Sequence, residues 1–170
     1  MPYRICFVCL GNICRSPMAG VVMRRLASDA GLADRIVVGS AGTGSWHVGA
    51  GANPPAVAAL HRRGYDGSSH RARKFGAADF ADWDLVVGLD AANVADLRRL
   101  APTDADAAKV VLLRDYDLEA PAGDDPAVSG ADRDVPDPYG GPDAEFEHAL
   151  DLVEAACRGL LATLPNEGRD

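Results

Sequence analysis

Residues 7–20 read FVCLGNICRSPMAG, so that Cys9 and Cys14 stand five positions apart and Arg15 and Ser16 follow at once. A cysteine attacks as its thiolate, and a helix N-terminus beside an arginine draws a thiol pKa from about 8.5 to roughly 3.5–7.5. Ser16 suits an N-cap and Pro17 the first helical position. Cys9, first residue of the loop before that helix, is therefore the candidate nucleophile. The same loop suits an anion, because backbone N–H groups converge at a helix start and the dipole adds positive potential. Gly11 and Asn12 tolerate left-handed backbone, and Arg15 offers a planar fork matched to two phosphate oxygens. A thiolate beneath a bound phosphate is placed for in-line attack at phosphorus, giving a phosphocysteine. Ser16 would then hydrogen-bond the sulfur and stabilise it as the leaving group of the second step.

The departing alkoxide or phenoxide needs a proton. The stretch VPDPYGG at 135–141 supplies an acid, Asp137, between Pro136 and Pro138, which stiffen the backbone, with Tyr139 next. Thiolate and protonated acid must coexist, so a bell-shaped pH profile with an acidic optimum is expected.

The elements that must position these groups follow a repeating grammar. YRICFVC reads as a buried strand and residues 16–31 as a helix ending at Gly31. RIVVGSAG, DLVVGLD and KVVLL read as further strands, alternating with helices over 54–64 and 91–102. Such alternation implies an α/β three-layer sandwich: a four-stranded, parallel, doubly wound sheet with helices on both faces and the phosphate-binding loop after strand 1. From Arg114 to Pro142 the periodicity is lost. The segment 143–164 closes the chain as an amphipathic helix, residues 165–170 read as a frayed tail, and residues 1–164 form one domain. Asp90 and Asn93 are read as capping the helix that follows them.

The net charge of −8 argues against nucleic acid, which needs a basic face. Most acids lie after residue 79, whereas Arg15, Arg24, Arg25, Arg62, Arg63, Arg71, Arg73 and Lys74 make the first half locally basic, and an anionic ligand is sought there. No apolar run of roughly 18 residues and no leader pattern occur, so neither a membrane span nor a secretory leader is expected and the cytoplasm is the expected compartment. There the four cysteines stay reduced, with Cys6 and Cys157 packed in the core. His70 has no second ligand at metal spacing, so no metal and no cofactor are expected.

Taken together, VCLGNICRSP and the distant DPY resemble the low-molecular-weight protein tyrosine phosphatase family, bacterial type, and the likeness extends to SAGTGSWHVG, HRARKF and LDAANVADL. The resemblance implies a hydrolase of phosphotyrosine-containing proteins that releases inorganic phosphate. Cys9 would be nucleophile, Arg15 the phosphate and transition-state ligand, and Asp137 the acid and then base. Leu10, Gly11, Asn12, Ile13, Cys14 and Ser16 would form the loop, and Asn12, Ser40 and His70 the hydrogen-bond network that holds it and Ser16 in place. Trp46 and Tyr139 would wall a slot deep enough for a phenyl ring, with Ile13 and His47 on its rim. Cys14 would guard Cys9 through a reversible disulfide. Tyr139 is followed by Gly140, where many relatives carry a second tyrosine. A protein-arginine phosphatase shares these residues. An arsenate reductase would need cysteines between Cys14 and Cys157, and a phosphate-binding regulatory module would not need both nucleophile and acid. Nothing demands more than a monomer.

Overall fold

The computed structural model describes residues 1–120 and 130–164. Four strands, β1 (Tyr3–Cys9), β2 (Ile36–Gly42), β3 (Leu85–Gly88) and β4 (Val110–Leu112), form one sheet in the order β2-β1-β3-β4. All three pairings are parallel. Each strand is short and apolar because both of its faces are covered.

The pleat of β1 shows how the two faces are filled. Ile5, Phe7 and Cys9 point into one core with residues of α1 (Arg15–Asp29), α2 (Pro54–Arg62) and α5 (Asp143–Thr163). Cys6 and Val8 point into a second core with Val94 and Leu97 of α3 (Ala91–Leu100), and with Phe80 and Trp83. This alternation follows from the two-residue period of a strand, and it delivers Cys9 to the three-helix side. Helices on both faces of a parallel sheet make the expected sandwich.

Helix ends follow local chemistry. Gly31 and Gly64 adopt positive φ (74° and 82°) just beyond α1 and α2, where a side chain would be strained. Asp90 caps α3 by accepting from the Asn93 amide at 2.7 Å, while the Asn93 side chain accepts from the Asp90 amide at 3.2 Å. Arg63 ties α2 to α5 through Glu147, Asp151 and Glu154.

Several expectations need correction. The segment KVVLL is strand only over Val110–Leu112; Leu113 already begins a 3-10 turn, Leu113–Tyr116. The patternless stretch after Arg114 carries a further 3-10 turn at Gly130–Arg133, and a third spans Ala77–Asp82. A one-turn helix, α4 (Asp104–Ala107), precedes β4, its Asp106 amide capped by the Thr103 hydroxyl. The expected frayed tail, 165–170, lies outside the described residues.

Candidate active site

The loop from Cys9 to Arg15 leaves the C-terminal end of β1, a central strand flanked by β2 and β3, and enters α1. In an open parallel sheet this is where ligands bind. Its curvature is enforced from outside. The carbonyls of Cys9, Leu10, Ile13 and Cys14 accept from the amides of Thr43 (2.9 Å), Gly44 (2.9 Å), Asn53 (2.8 Å) and Met18 (3.1 Å), and that of Asn12 accepts from His70 Nε2 (2.6 Å). Among the described residues no peptide is cis, and a trans unit holds its C=O and N–H on opposite sides. With those carbonyls engaged outward, the N–H groups of Leu10, Gly11, Ile13, Cys14 and Arg15 face the interior of the loop. That is an anion nest.

Asn12 locks this shape. It is fully buried, with φ of 56°, which asparagine tolerates better than most residues. Its Nδ2 donates to Ser16 Oγ at 2.8 Å and Ser40 Oγ at 3.0 Å, and its Oδ1 accepts from the Arg73 amide at 3.0 Å. With the His70 bond to its carbonyl, its side-chain groups and carbonyl are all partnered. Gly11 was expected to share the left-handed backbone, and it does not. Its lack of a side chain serves His47 instead, whose Cδ2 would lie 3.1 Å from a Cβ there.

Ser16 is also placed differently from the expectation. The helix starts at Arg15 with Cys14 as its N-cap, and no side chain caps it. The Ser16 hydroxyl instead lies 3.0 Å from Cys9 Sγ and 3.3 Å from the Ala41 carbonyl. Asn12 already donates to this oxygen, so its single proton serves either the Ala41 carbonyl or the closer sulfur.

Arg15 is 3% exposed and its position is fixed by two bonds from Nη1, to Asp90 Oδ2 at 2.6 Å and to the Val135 carbonyl at 3.0 Å. Its Nη2 lies 3.7 Å from Asp137 Oδ2. Paired carboxylates hold the guanidinium pKa above its ordinary value although burial opposes this. The Asp137 carboxylate is fixed by the Tyr139 amide at 3.1 Å.

These groups line one cleft of about 170 Å³ that also contains Ile13, Trp46 and His47. Cys9 lies at its floor, 3% exposed, whereas Trp46 and Tyr139 at the mouth are 72% and 61% exposed. His47, on the rim, meets Tyr139 with ring centroids 6.1 Å apart. Every residue named in advance for the loop, its bracing and the cleft is brought together. The sequence reading missed Asp90 as a partner of Arg15, the Arg73 amide, Asn53 and the Val135 carbonyl. Asn53 Nδ2 donates to Cys14 Sγ at 3.4 Å, and burial pushes that thiol up to about 11.

Burial also lowers the His70 pKa below 6.5, helped by the charges of Arg24 and Arg71 and opposed by its bond to Asn12. A carbonyl only accepts, so the neutral ring carries its proton on Nε2. Between the folded value and about 6.5 the unfolded chain binds more protons, so stability rises with pH there and is lost as pH falls below about 6.5. In urea unfolding between pH 5.5 and 7.5, a His70→Gln variant is expected to show a flatter pH dependence than the parent. Equal slopes would remove His70 as the source.

A thiol at the floor of an amide-lined loop, an arginine beside it and a carboxylate at the mouth, all set at the end of a parallel strand, define a thiol-dependent phosphate-ester hydrolase. The comparisons narrow the class. The family model described as low molecular weight phosphotyrosine protein phosphatase matches residues 4–170, and the chain belongs to that family. It is 54% identical to a low molecular weight protein-tyrosine-phosphatase of Streptomyces coelicolor, over 99% of each chain. It is 35% identical to the low molecular weight phosphotyrosine protein phosphatase of Sus scrofa, over 92% of each. The crystal structure of YfkJ from Bacillus subtilis superposes with a TM-score of 0.84 at 34% identity, over 96% of this chain and 94% of that one. The activity is therefore that of a protein tyrosine phosphatase, a hydrolase using a cysteine-based mechanism, acting on phosphotyrosine-containing proteins. The arginine phosphatase, arsenate reductase and binding-module readings are not favoured.

Proposed function

We propose that Cys9, Arg15 and Asp137 carry out this hydrolysis in two steps. The Cys9 thiolate attacks phosphorus while the inward N–H groups and Arg15 hold the phosphoryl oxygens. Nη1 of Arg15 spends both protons on Asp90 and Val135, which leaves Nε and Nη2 for a bidentate grip. Asp137 protonates the departing phenoxide, then takes a proton from the water that attacks the phosphocysteine, releasing inorganic phosphate. The Ser16 hydroxyl, turned to Cys9 Sγ, stabilises the thiolate as it leaves. The observation that carries this reading is the cleft itself: a buried sulfur at its floor and exposed rings at its mouth. A phenyl ring spans that depth, and a phosphoserine side chain is too short.

Cys14 is assigned as the redox guard of Cys9. Its raised pKa keeps it protonated; hydrogen peroxide oxidises the Cys9 thiolate to a sulfenic acid with release of water, and the Cys14 thiol condenses with that acid to give a disulfide and a second water. The reading extends to one domain over residues 1–164, acting as a monomer in the cytoplasm. The four unpaired cysteines suit a reducing compartment.

The test is steady-state turnover of phosphotyrosine, phosphoserine and phosphoarginine peptides, with acid-quenched samples mapped for phosphate on Cys9. Turnover of phosphotyrosine at least a hundredfold faster than of phosphoserine, with label on the Cys9 peptide, is the expected result. Label elsewhere, or none during turnover, would remove Cys9 from the nucleophile's role.

A further inference from the structure

Behind the phosphate loop, on the side away from the cleft, lies a second cavity of about 390 Å³, more than twice the volume of the first. The two share no lining residue. Its chemistry is basic: Arg24, Arg71 and Arg73 meet there with His70 and the hydroxyls of Ser40 and Ser69. Arg73 is already engaged, with Asp79 at 3.7 Å and the Ser40 carbonyl at 3.1 Å.

Arg24 and Arg71 are different. Among the described residues neither guanidinium has a carboxylate partner, in a chain whose net charge is −8. Each is nevertheless oriented by one bond to a carbonyl, Arg24 Nη2 to Val38 at 3.0 Å and Arg71 Nη1 to His70 at 2.7 Å. A Cβ on Gly20 would lie 3.8 Å from Arg24 Nη1 and 3.9 Å from Ser40 Cβ, so the Arg24 head group and the Ser40 side chain flank the same point beside Gly20. Each fork keeps most of its five N–H donors for a ligand. The positive charge is felt locally, since both arginines disfavour protonation of His70.

We propose that this cavity binds a small free oligoanion bearing two or more phosphoryl groups, the class that tripolyphosphate represents. Two preset guanidinium forks match adjacent phosphoryl groups, Ser69 and His70 supply further polar contacts, and the volume falls within the range of small-molecule sites. The site is wired to the catalytic loop. Ser40 and His70, which line it, are the groups that hold Asn12, and Asn12 holds Ser16 beneath Cys9. A bound oligoanion cancels the field of Arg24 and Arg71, so that His70 takes up a proton more readily and its Nε2–H donates more strongly to the Asn12 carbonyl.

The experiment follows the His70 ring by NMR through a pH titration of the full chain, with and without tripolyphosphate, at ionic strength matched with chloride so that screening is constant. The expected result is an upward displacement of the His70 midpoint in the parent. The Arg24→Gln/Arg71→Gln variant should show no displacement, and each single substitution should weaken tripolyphosphate about tenfold or more. Arg71→Gln alone serves if the double variant folds poorly, since among the described residues its guanidinium bonds only the adjacent carbonyl. Tripolyphosphate also competes at the catalytic loop, but that effect, read as a raised KM for a phosphotyrosine peptide, should persist in all variants. Equal displacement in parent and variants, or none at millimolar tripolyphosphate, would overturn the proposal. Peptide turnover without tripolyphosphate checks the catalytic reading separately.

Discussion

Turnover of a phosphotyrosine peptide by the Cys9→Ser variant is expected to fall by about 10⁵-fold or more, the scale on which enzymes lose activity with their nucleophile. The hydroxyl that replaces the thiol is a far weaker acid, and nothing in the loop is a base able to take its proton. Ser16 Oγ, 3.0 Å from the sulfur, is a hydroxyl and no stronger a base than the one introduced. Binding should be spared, because the anion nest and Arg15 are untouched. Calorimetric titration with inorganic phosphate is expected to give a Kd within a few-fold of the parent, which separates lost chemistry from a collapsed site. Activity within tenfold of the parent would mean that another group attacks phosphorus.

Asp137→Asn is expected to lower kcat for phosphotyrosine by about 10²–10⁴-fold, the usual contribution of a positioned general acid. Asparagine keeps the shape and the bond from the Tyr139 amide, and loses the proton to donate. Two further readouts distinguish an acid from a structural residue. The loss should shrink for p-nitrophenyl phosphate, whose leaving group departs without full protonation. The alkaline limb of the kcat profile, which reports the acid losing its proton, should disappear. A uniform loss across leaving groups with the bell intact would assign Asp137 to positioning Arg15, which lies 3.7 Å away.

Much of this site was legible in the sequence because its chemistry is local. Cys9, Asn12, Arg15 and Ser16 fall within eight residues, between an apolar run and a proline that belongs to the first turn of a helix. The four strands were legible for a similar reason, being short apolar runs at regular intervals. What was missed is either distant or made by backbone. The Asp90 carboxylate is 75 residues from Arg15 and already had a local explanation as a cap. The Val135 carbonyl and the Arg73 amide have no side-chain signature at all. The misplaced cap at Ser16 has a physical cause. A serine before Pro17 normally turns its hydroxyl to free amides, and here sulfur, Asn12 and the Ala41 carbonyl claim it.

Asp90 divides its two oxygens between two tasks. Oδ1 accepts from the Asn93 amide at the start of α3, and Oδ2 accepts from Arg15. Helix termini open and close on their own timescale, and such local openings cost far less than global unfolding. Each time the first turn of α3 frays, the carboxylate gains freedom and the guanidinium loses its anchor. The fluctuations of a helix on the opposite face of the sheet thus become part of the noise in the catalytic geometry. A ligand that clamps Arg15 quiets that turn in return, and amide exchange at Asn93 is the place where such quieting registers.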